Sequence, residues 1–446
     1  MSTAFDRCTA DAIIGLDTLW GGDVMNPSGA GRFIADSWFS DEPLPAAYTH
    51  PTAARLRETG GVGAKVPDAR AIDAYLAAVD VRGAIAAVAA EARALPDLRR
   101  AYALGMVEAF EVMWDLALEV LGKGPAVPFA RCVRASCGHD PQPSDPAARR
   151  RRLAELLARA GFRHGDQGGM LAAVDAWRAQ RMVPMASVKL LADAVIAQYD
   201  HLCAHALAHH LPTPLRRVPR AHIEFLPIAD AWFSGSMNYL GRARTKAGHP
   251  EYEATYEINA SLAISVPEFV QLVTHEVVPG HVTTFAYLQD LYVRGQVGFE
   301  ATVQTMNTRG ATLSEGIANN GILIACGVTE IEELPSEELQ IGVLLALLQD
   351  DAKNQAAWLT WQEGAAQADV AAALRREYLV SEERADKLSG AWARHPLLGR
   401  MYLPAYRTGT EKVAELRRRY PAAKVLPALY GCDGLVDVVT IEEALR

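Results

Sequence analysis

Residues 254–281 read ATYEINASLAISVPEFVQLVTHEVVPGH. The stretch 254–261 alternates and carries β-branched and aromatic residues, the pattern of a short strand. Ser265 and Glu268 then stand three apart with Pro267 between them, the spacing of a capping box, ahead of the apolar run Phe269, Val270, Leu272 and Val273. A helix with one buried face is therefore expected here, and His275 falls about two and a half turns into it. Working outward, three-to-four-residue apolar spacing predicts helices over 68–95 and 98–121, meeting at Pro96, and over 149–162, 170–182 and 187–210. Ser144-Asp145-Pro146 supplies an N-terminal signal for the third of these. A second strand is expected at 221–228, and long connections at 138–145 and 211–220. The fold class that follows is mainly α: a large helical protein with a cleft and a small β element just before the histidine-bearing helix.

The chain has 446 residues, half of them hydrophobic and 22% charged. That is a globular composition with ample material for a core. Length alone suggests about three domains. The sequence divides more simply into a helical half, 1–212, and a half with the strands and the histidines, 213–446, expected to pack as one unit. Forty-four basic against fifty-three acidic side chains leave a net charge of −9. This disfavours nucleic acid and anionic membrane as partners, since both require a basic face. The longest apolar run, around 341–348, is far short of a membrane span. The N-terminal MSTAFDRCTADAIIG has no basic stretch followed by an apolar one. Six scattered cysteines make no disulfide framework, so a reducing cytoplasm is the expected compartment.

Chemistry concentrates in His275-Glu276-Val277-Val278-Pro279-Gly280-His281. Two neutral imidazoles with a carboxylate beside the first form the logic of a zinc hydrolase: the histidines hold Zn2+ and Glu276 takes a proton from water. The spacing departs from i, i+4. Six residues of ideal helix rise ~9 Å and turn ~240°, which cannot bring both rings to one ion. Either the backbone leaves the helix between Glu276 and His281, or the two histidines do not share a metal. Pro279-Gly280 offers the means for the first. A third ligand is expected from Glu315 in Thr312-Leu313-Ser314-Glu315-Gly316-Ile317-Ala318-Asn319. Asn319, one turn after Glu315, is placed to accept the outer N–H of a metal-bound histidine.

HEVVPGH followed by Glu-Gly on the next helix resembles the bacterial family filed as domain of unknown function 885. That family is regarded as zinc-peptidase-like, and its members typically read HEAYPGHH and later EGWA. Arg400-Met401-Tyr402-Leu403-Pro404-Ala405-Tyr406-Arg407-Thr408-Gly409 and Glu415-Leu416-Arg417 are similar to its C-terminal signature, and Tyr256-Glu257-Ile258-Asn259 to its extended Tyr-x-x-Asn segment. The resemblance covers roughly residues 220–420. It implies His275, His281 and Glu315 as ligands, Glu276 as general base, Tyr406 at the oxyanion and Arg407 at a substrate carboxylate, with Tyr256 and Asn259 lining the substrate. Three positions differ: Val282 replaces a second histidine, Ile317-Ala318-Asn319-Asn320 replaces Trp-Ala-x-Tyr, and Arg407 replaces lysine. The second change is expected to remodel the pocket beside the metal.

Other clusters carry less. His201, His205 and His209 recur every four residues and read as a polar helix face. Cys132, Cys137 and His139 lack a second thiol pair to close a tetrahedral site. His222 and Glu224 alternate on a candidate strand, and Arg149–Arg152 reads as a solvated face. The expected activity is zinc-dependent hydrolysis of an amide bond, most simply in short peptides. An extended substrate is expected to pair with the edge of the 254–261 strand. A tailoring metalloenzyme acting on a small non-peptide metabolite is the second expectation, and a catalytically silent helical binding protein the third.

Overall fold

The computed structural model describes residues 3–25, 34–162, 167–216, 222–228, 235–259 and 264–446. The fold is mainly α, with a few short strands. Six helices carry the argument: α1 Val188–Ala206, α2 Val266–Glu276, α3 His281–Val293, α4 Arg309–Asn319, α5 Glu337–Ala357 and α6 Leu403–Arg419. The strands are β1 Ala35–Trp38, β2 His222–Ile228, β3 Gly235–Leu240, β4 Glu253–Asn259 and β5 Val303–Thr305.

Local chemistry sets the helix ends. The Ser265 hydroxyl accepts the Glu268 N–H and opens α2, and Arg178 grips the Glu268 carboxylate at 2.7 Å from a neighbouring helix. The expected long helix over 68–95 is interrupted. Asp80 caps a new helix by accepting the Gly83 N–H at 2.8 Å, so Ala69–Ala78 and Val81–Glu91 are separate elements. A capping aspartate competes with helix continuation, and apolar spacing alone does not register that competition. The helix expected at 98–121 is present as Asp97–Val120.

β4 lies at the centre of a three-stranded sheet, parallel to β2 and antiparallel to β3. Tyr256 stands opposite Phe225 on one side and Met237 on the other. Both edges of β4 are therefore paired, and the expectation that a substrate strand adds to it is corrected. β3 lies in a stretch where the sequence predicts no strand, and its pairing with β4 supplies what its sequence does not announce. A second, two-stranded sheet joins β1 to β5 across more than two hundred and sixty residues of chain.

The expected divide at residue 212 is not a boundary in space. One apolar core runs from Phe5 and Trp20 through Phe110 to Val303 and Met401. Another joins Leu153, Leu157 and Trp177 to Ile341 and Leu348. The largest gathers Tyr199, Tyr256, Phe269, Phe285, Ile317 and Val413 around α2, α3 and α4. Arg149–Arg152, expected in solvent, ties a helix down: Arg149 pairs with the buried Asp351, and Arg150 donates to the Arg376 and Glu377 carbonyls at 2.8 Å each. Among the described residues no helix is long and apolar enough to cross a membrane.

α4 and α6 cross backbone to backbone. A Cβ built on Gly409 would lie 1.9 Å from the Thr312 carbonyl oxygen, and one on Gly316 would lie 2.3 Å from the Gly409 oxygen. The Gly409→Ala variant is expected to lose more than the ~1–3 kcal/mol usual for overpacking, because backbone must move. Thermal unfolding measures it, and a melting temperature equal to the parent would contradict the close crossing.

Candidate metal centre

α2 stops at Glu276 and α3 starts at His281. Between them the Val278–Pro279 peptide is cis, and Gly280 sits at φ −71°, ψ −133°. The Gly280 N–H donates to the Thr274 carbonyl at 3.0 Å, and the Tyr430 hydroxyl donates to the Pro279 carbonyl at 2.9 Å. A Cβ on residue 280 would fall 1.7 Å from the His275 carbonyl oxygen, so only glycine fits. The backbone thus leaves the helix within 277–280, and His281 re-enters on a new axis.

That turn brings the rings of His275 and His281 to 4.8 Å between centroids, edge to face. Their Nε2 atoms face the carboxylate of Glu315 on α4. His275 Nε2 lies 3.5 Å from one oxygen and His281 Nε2 3.8 Å from the other. The ligand atoms of the three residues all fall within 4.8 Å of one another, the one such grouping among the described residues. Atoms bound at ~2.1 Å in a tetrahedron stand ~3.4 Å apart, so the two shorter separations match a shared ion.

The outer nitrogens are held. His275 Nδ1 lies 2.8 Å from Asn319 Oδ1, and His281 Nδ1 lies 2.9 Å from Ser314 Oγ. The orientation of Asn319 follows from a chain of partners. The Thr410 hydroxyl gives its single proton to the Tyr406 carbonyl at 2.7 Å, so it must accept from Asn319 Nδ2 at 2.8 Å. The Asn319 oxygen then turns to His275 and accepts Nδ1–H, which leaves the Nε2 lone pair facing Glu315. Burial, with the neighbouring His281 and Lys353, holds His275 well below the usual imidazole range, so the ring is neutral.

Glu315 is buried, and one of its oxygens makes no hydrogen bond. The other accepts from the Tyr402 hydroxyl. Burial pushes the carboxyl up to about 8, while Lys353 and Tyr402 pull it down. Two imidazoles and one under-satisfied carboxylate make a donor set that a divalent cation fits, because its charge relieves the cost of burying that carboxylate. Glu276 sits beside the set, one oxygen 3.9 Å from His275 Nε2. Burial raises the phenol of Tyr256 well above its usual range, and the Glu276 carboxylate raises it further.

The remaining expected residues divide. Tyr406 lies at the site: its ring is 5.0 Å from that of Tyr402, and Glu315 and Glu276 both act on its hydroxyl. Arg407 does not join it, which corrects the expectation of a carboxylate clamp there. Its guanidinium meets Glu411 at 3.0 Å, Asp351 at 3.3 Å and the Pro143 carbonyl at 2.8 Å. Successive helical residues point ~100° apart, so Tyr406 and Arg407 cannot share one face. The side chains of Asn259, His222 and Glu224 lie outside the described residues. Ile317 is core, and Asn320 bonds to the Gly316 and Thr410 carbonyls, so the sequence change there falls in helix packing and not in the pocket. His201, His205 and His209 are exposed on and beyond α1, Cys132 and Cys137 are buried thiols, and His139 bonds to Thr408.

Ser314, Tyr402, Thr410 and Lys353 escaped the sequence reading. Tyr402 and Thr410 stand one turn either side of Tyr406, a spacing that was available as a signal. Lys353 has no local signature.

No family model matches this chain, and no curated protein does. Two solved structures are similar in fold. A candidate lipoprotein from Colwellia psychrerythraea aligns with TM-score 0.52 and 13% identity over 81% of this chain and 66% of its own. A candidate lipoprotein of unknown function from Shewanella oneidensis aligns with TM-score 0.51 and 13% identity over 91% of this chain and 79% of its own. The chain therefore spans just under two thirds of the first neighbour, and at this identity the likeness is one of fold.

Metal analysis by mass spectrometry tests the site. Purified protein is expected to hold about one zinc per chain, with His275→Ala, Glu315→Ala and Gly280→Val losing it and His205→Ala keeping it. Asn319→Ala is expected to weaken zinc about 10–100-fold, since it frees the ring orientation without removing a ligand. Full retention in both ligand variants would dismiss the centre.

Proposed function

We propose that this chain is a metallohydrolase of the two-histidine, one-glutamate type that holds Zn2+ on His275, His281 and Glu315 and cleaves an amide bond, with short peptides as the substrate class. The observation that carries the proposal is the convergence of two Nε2 atoms on one buried carboxylate, with Asn319 and Ser314 on the outer nitrogens. A lone buried carboxylate facing two histidines has no structural reward; as a ligand set it has one. A zinc ion bound there supplies a Lewis acid that acidifies water and polarises a carbonyl.

The protein's own groups do the rest. Glu276, beside the ligands but outside the grouping, accepts the proton of the attacking water and passes it to the leaving nitrogen. Tyr406 donates its O–H to the oxygen that gains charge. Burial and the Glu315 carboxylate hold its phenol well above the usual range, so it keeps the proton it must share. Tyr402 donates to Glu315 and fixes the carboxylate plane.

We read the ordered motifs from Tyr256 to Arg417 as common descent with the domain of unknown function 885 family. The compartment we propose is a reducing cytoplasm, supported by six cysteines none of which forms a disulfide. The lipoprotein description of the two fold neighbours points the other way, and cell fractionation decides between them.

Turnover of a mixed library of short peptides and N-acyl amino acids, followed by mass spectrometry, tests the activity. The Glu276→Gln variant is expected to keep its zinc and lose about 10²–10⁴ in rate, the usual weight of a general base. Unchanged turnover in that variant would remove Glu276 from the reaction. A zinc-loaded parent that cleaves no amide in the library would overturn the hydrolase.

A further inference from the structure

Lys353, on α5, is a buried lysine with a sparse set of partners. Its ammonium lies 2.9 Å from Asp350 Oδ1 and 3.2 Å from the centroid of the Tyr406 ring. The residue is only 8% exposed. An ammonium carries three N–H donors. Asp350 takes one and the ring face takes a second, and among the described residues no acceptor is present for the third. A buried donor without an acceptor costs stability and invites a ligand group that supplies one.

The ammonium also stands in the right place. Tyr406 packs on Tyr402, whose hydroxyl bonds to Glu315, so the path from Lys353 to the metal centre passes through two rings. Its charge acts on both His275 and Glu315, which puts it within electrostatic reach of the metal centre. A second cation, the half-buried Arg384, lies in the field of Tyr406, Asp350 and Glu383. Arg407, the residue whose position in the sequence implied a carboxylate partner, is committed to Asp351, Glu411 and Pro143.

We propose that Lys353 is the specificity-determining residue for substrates bearing a free carboxylate next to the scissile amide, a class that includes N-acyl amino acids and peptides cut at their C-terminal end. The carboxylate takes the third N–H of Lys353 while Tyr406, held beneath the ammonium, faces the carbonyl. This inference rests on the metallohydrolase reading, and zinc content is measured first so that the two are separable.

The test uses the zinc-loaded full chain carrying Glu276→Gln, so that ligand is held and not cleaved. Calorimetric titration compares N-acetyl-leucine with N-acetyl-leucine amide. The acid is expected to bind at least about tenfold more tightly, as a charge-assisted hydrogen bond away from water provides. Lys353→Met is expected to abolish that preference by weakening the acid alone, with zinc still near one per chain, and Lys353→Arg to restore part of it. Equal binding of acid and amide with Lys353 intact, or no binding of either, overturns the proposal without recourse to any Lys353 variant. So does equal weakening of both ligands by Lys353→Met, which would make Lys353 a support for Tyr406. A parent chain that holds no zinc overturns the metallohydrolase reading, and this inference falls with it.

Discussion

Three backbones meet around α4 at distances that exclude side chains. Gly316 and Gly409 let α4 and α6 touch, Gly280 lets the turn after α2 press on the His275 carbonyl, and Gly321 lies against the Thr274 carbonyl. This close approach is the constraint on which the site depends. Glu315, Ser314 and Asn319 are neighbours on α4, and they reach the two histidines only because α4 lies so near both helix ends. Packing at this range is unforgiving, since interiors have few voids into which a displaced backbone can relax. The glycines thus convert three separate sequence segments into one rigid cluster.

The second layer of order is polar. Thr410, Asn319 and His275 form a chain in which each donor has a single permitted acceptor, and the chain ends by fixing which imidazole nitrogen carries the proton. Gln271 adds a bond from α2 to the Asn319 carbonyl at 3.3 Å, so the amide's own backbone is held as well. Such networks hold a unique arrangement when every member is satisfied, because a misplaced group leaves a buried polar atom unpaired. Around them, burial sets the charges: it keeps His275 neutral, raises Glu315 and keeps Tyr402 and Tyr406 protonated. One physical cause therefore produces lone pairs, a reluctant carboxylate and phenolic donors within a single cluster.

The two halves of the chain contribute unequally to this. The C-terminal half supplies the ligands and their partners, while the first half supplies apolar surface and the strand β1 that pairs with β5. Arg149 and Ser144 reach across to α5 near Asp351, and Arg400 reaches back to Glu119. These contacts tie α5, which carries Lys353, and the Leu398–Tyr402 segment that leads into α6 to the first half of the chain.

Much of the site was legible before any coordinates. His275, Glu276 and His281 declare themselves by residue type, and the failure of six helical residues to align two rings already demanded a break, with Pro279-Gly280 beside it. Glu315 and Asn319 followed from needing a third ligand and from i, i+4 spacing. The mainly helical class followed from apolar periodicity, which is a property of neighbouring residues. The break at Asp80, strand β3, the paired edges of β4 and the place of Arg407 were decided by tertiary structure. So were Lys353, Tyr402 and Ser314 as neighbours of the candidate centre. The reason is common to all of them. Type and spacing determine what a segment is able to do, whereas which face meets which neighbour depends on helices brought together from distant parts of the chain, and no local pattern encodes that distance.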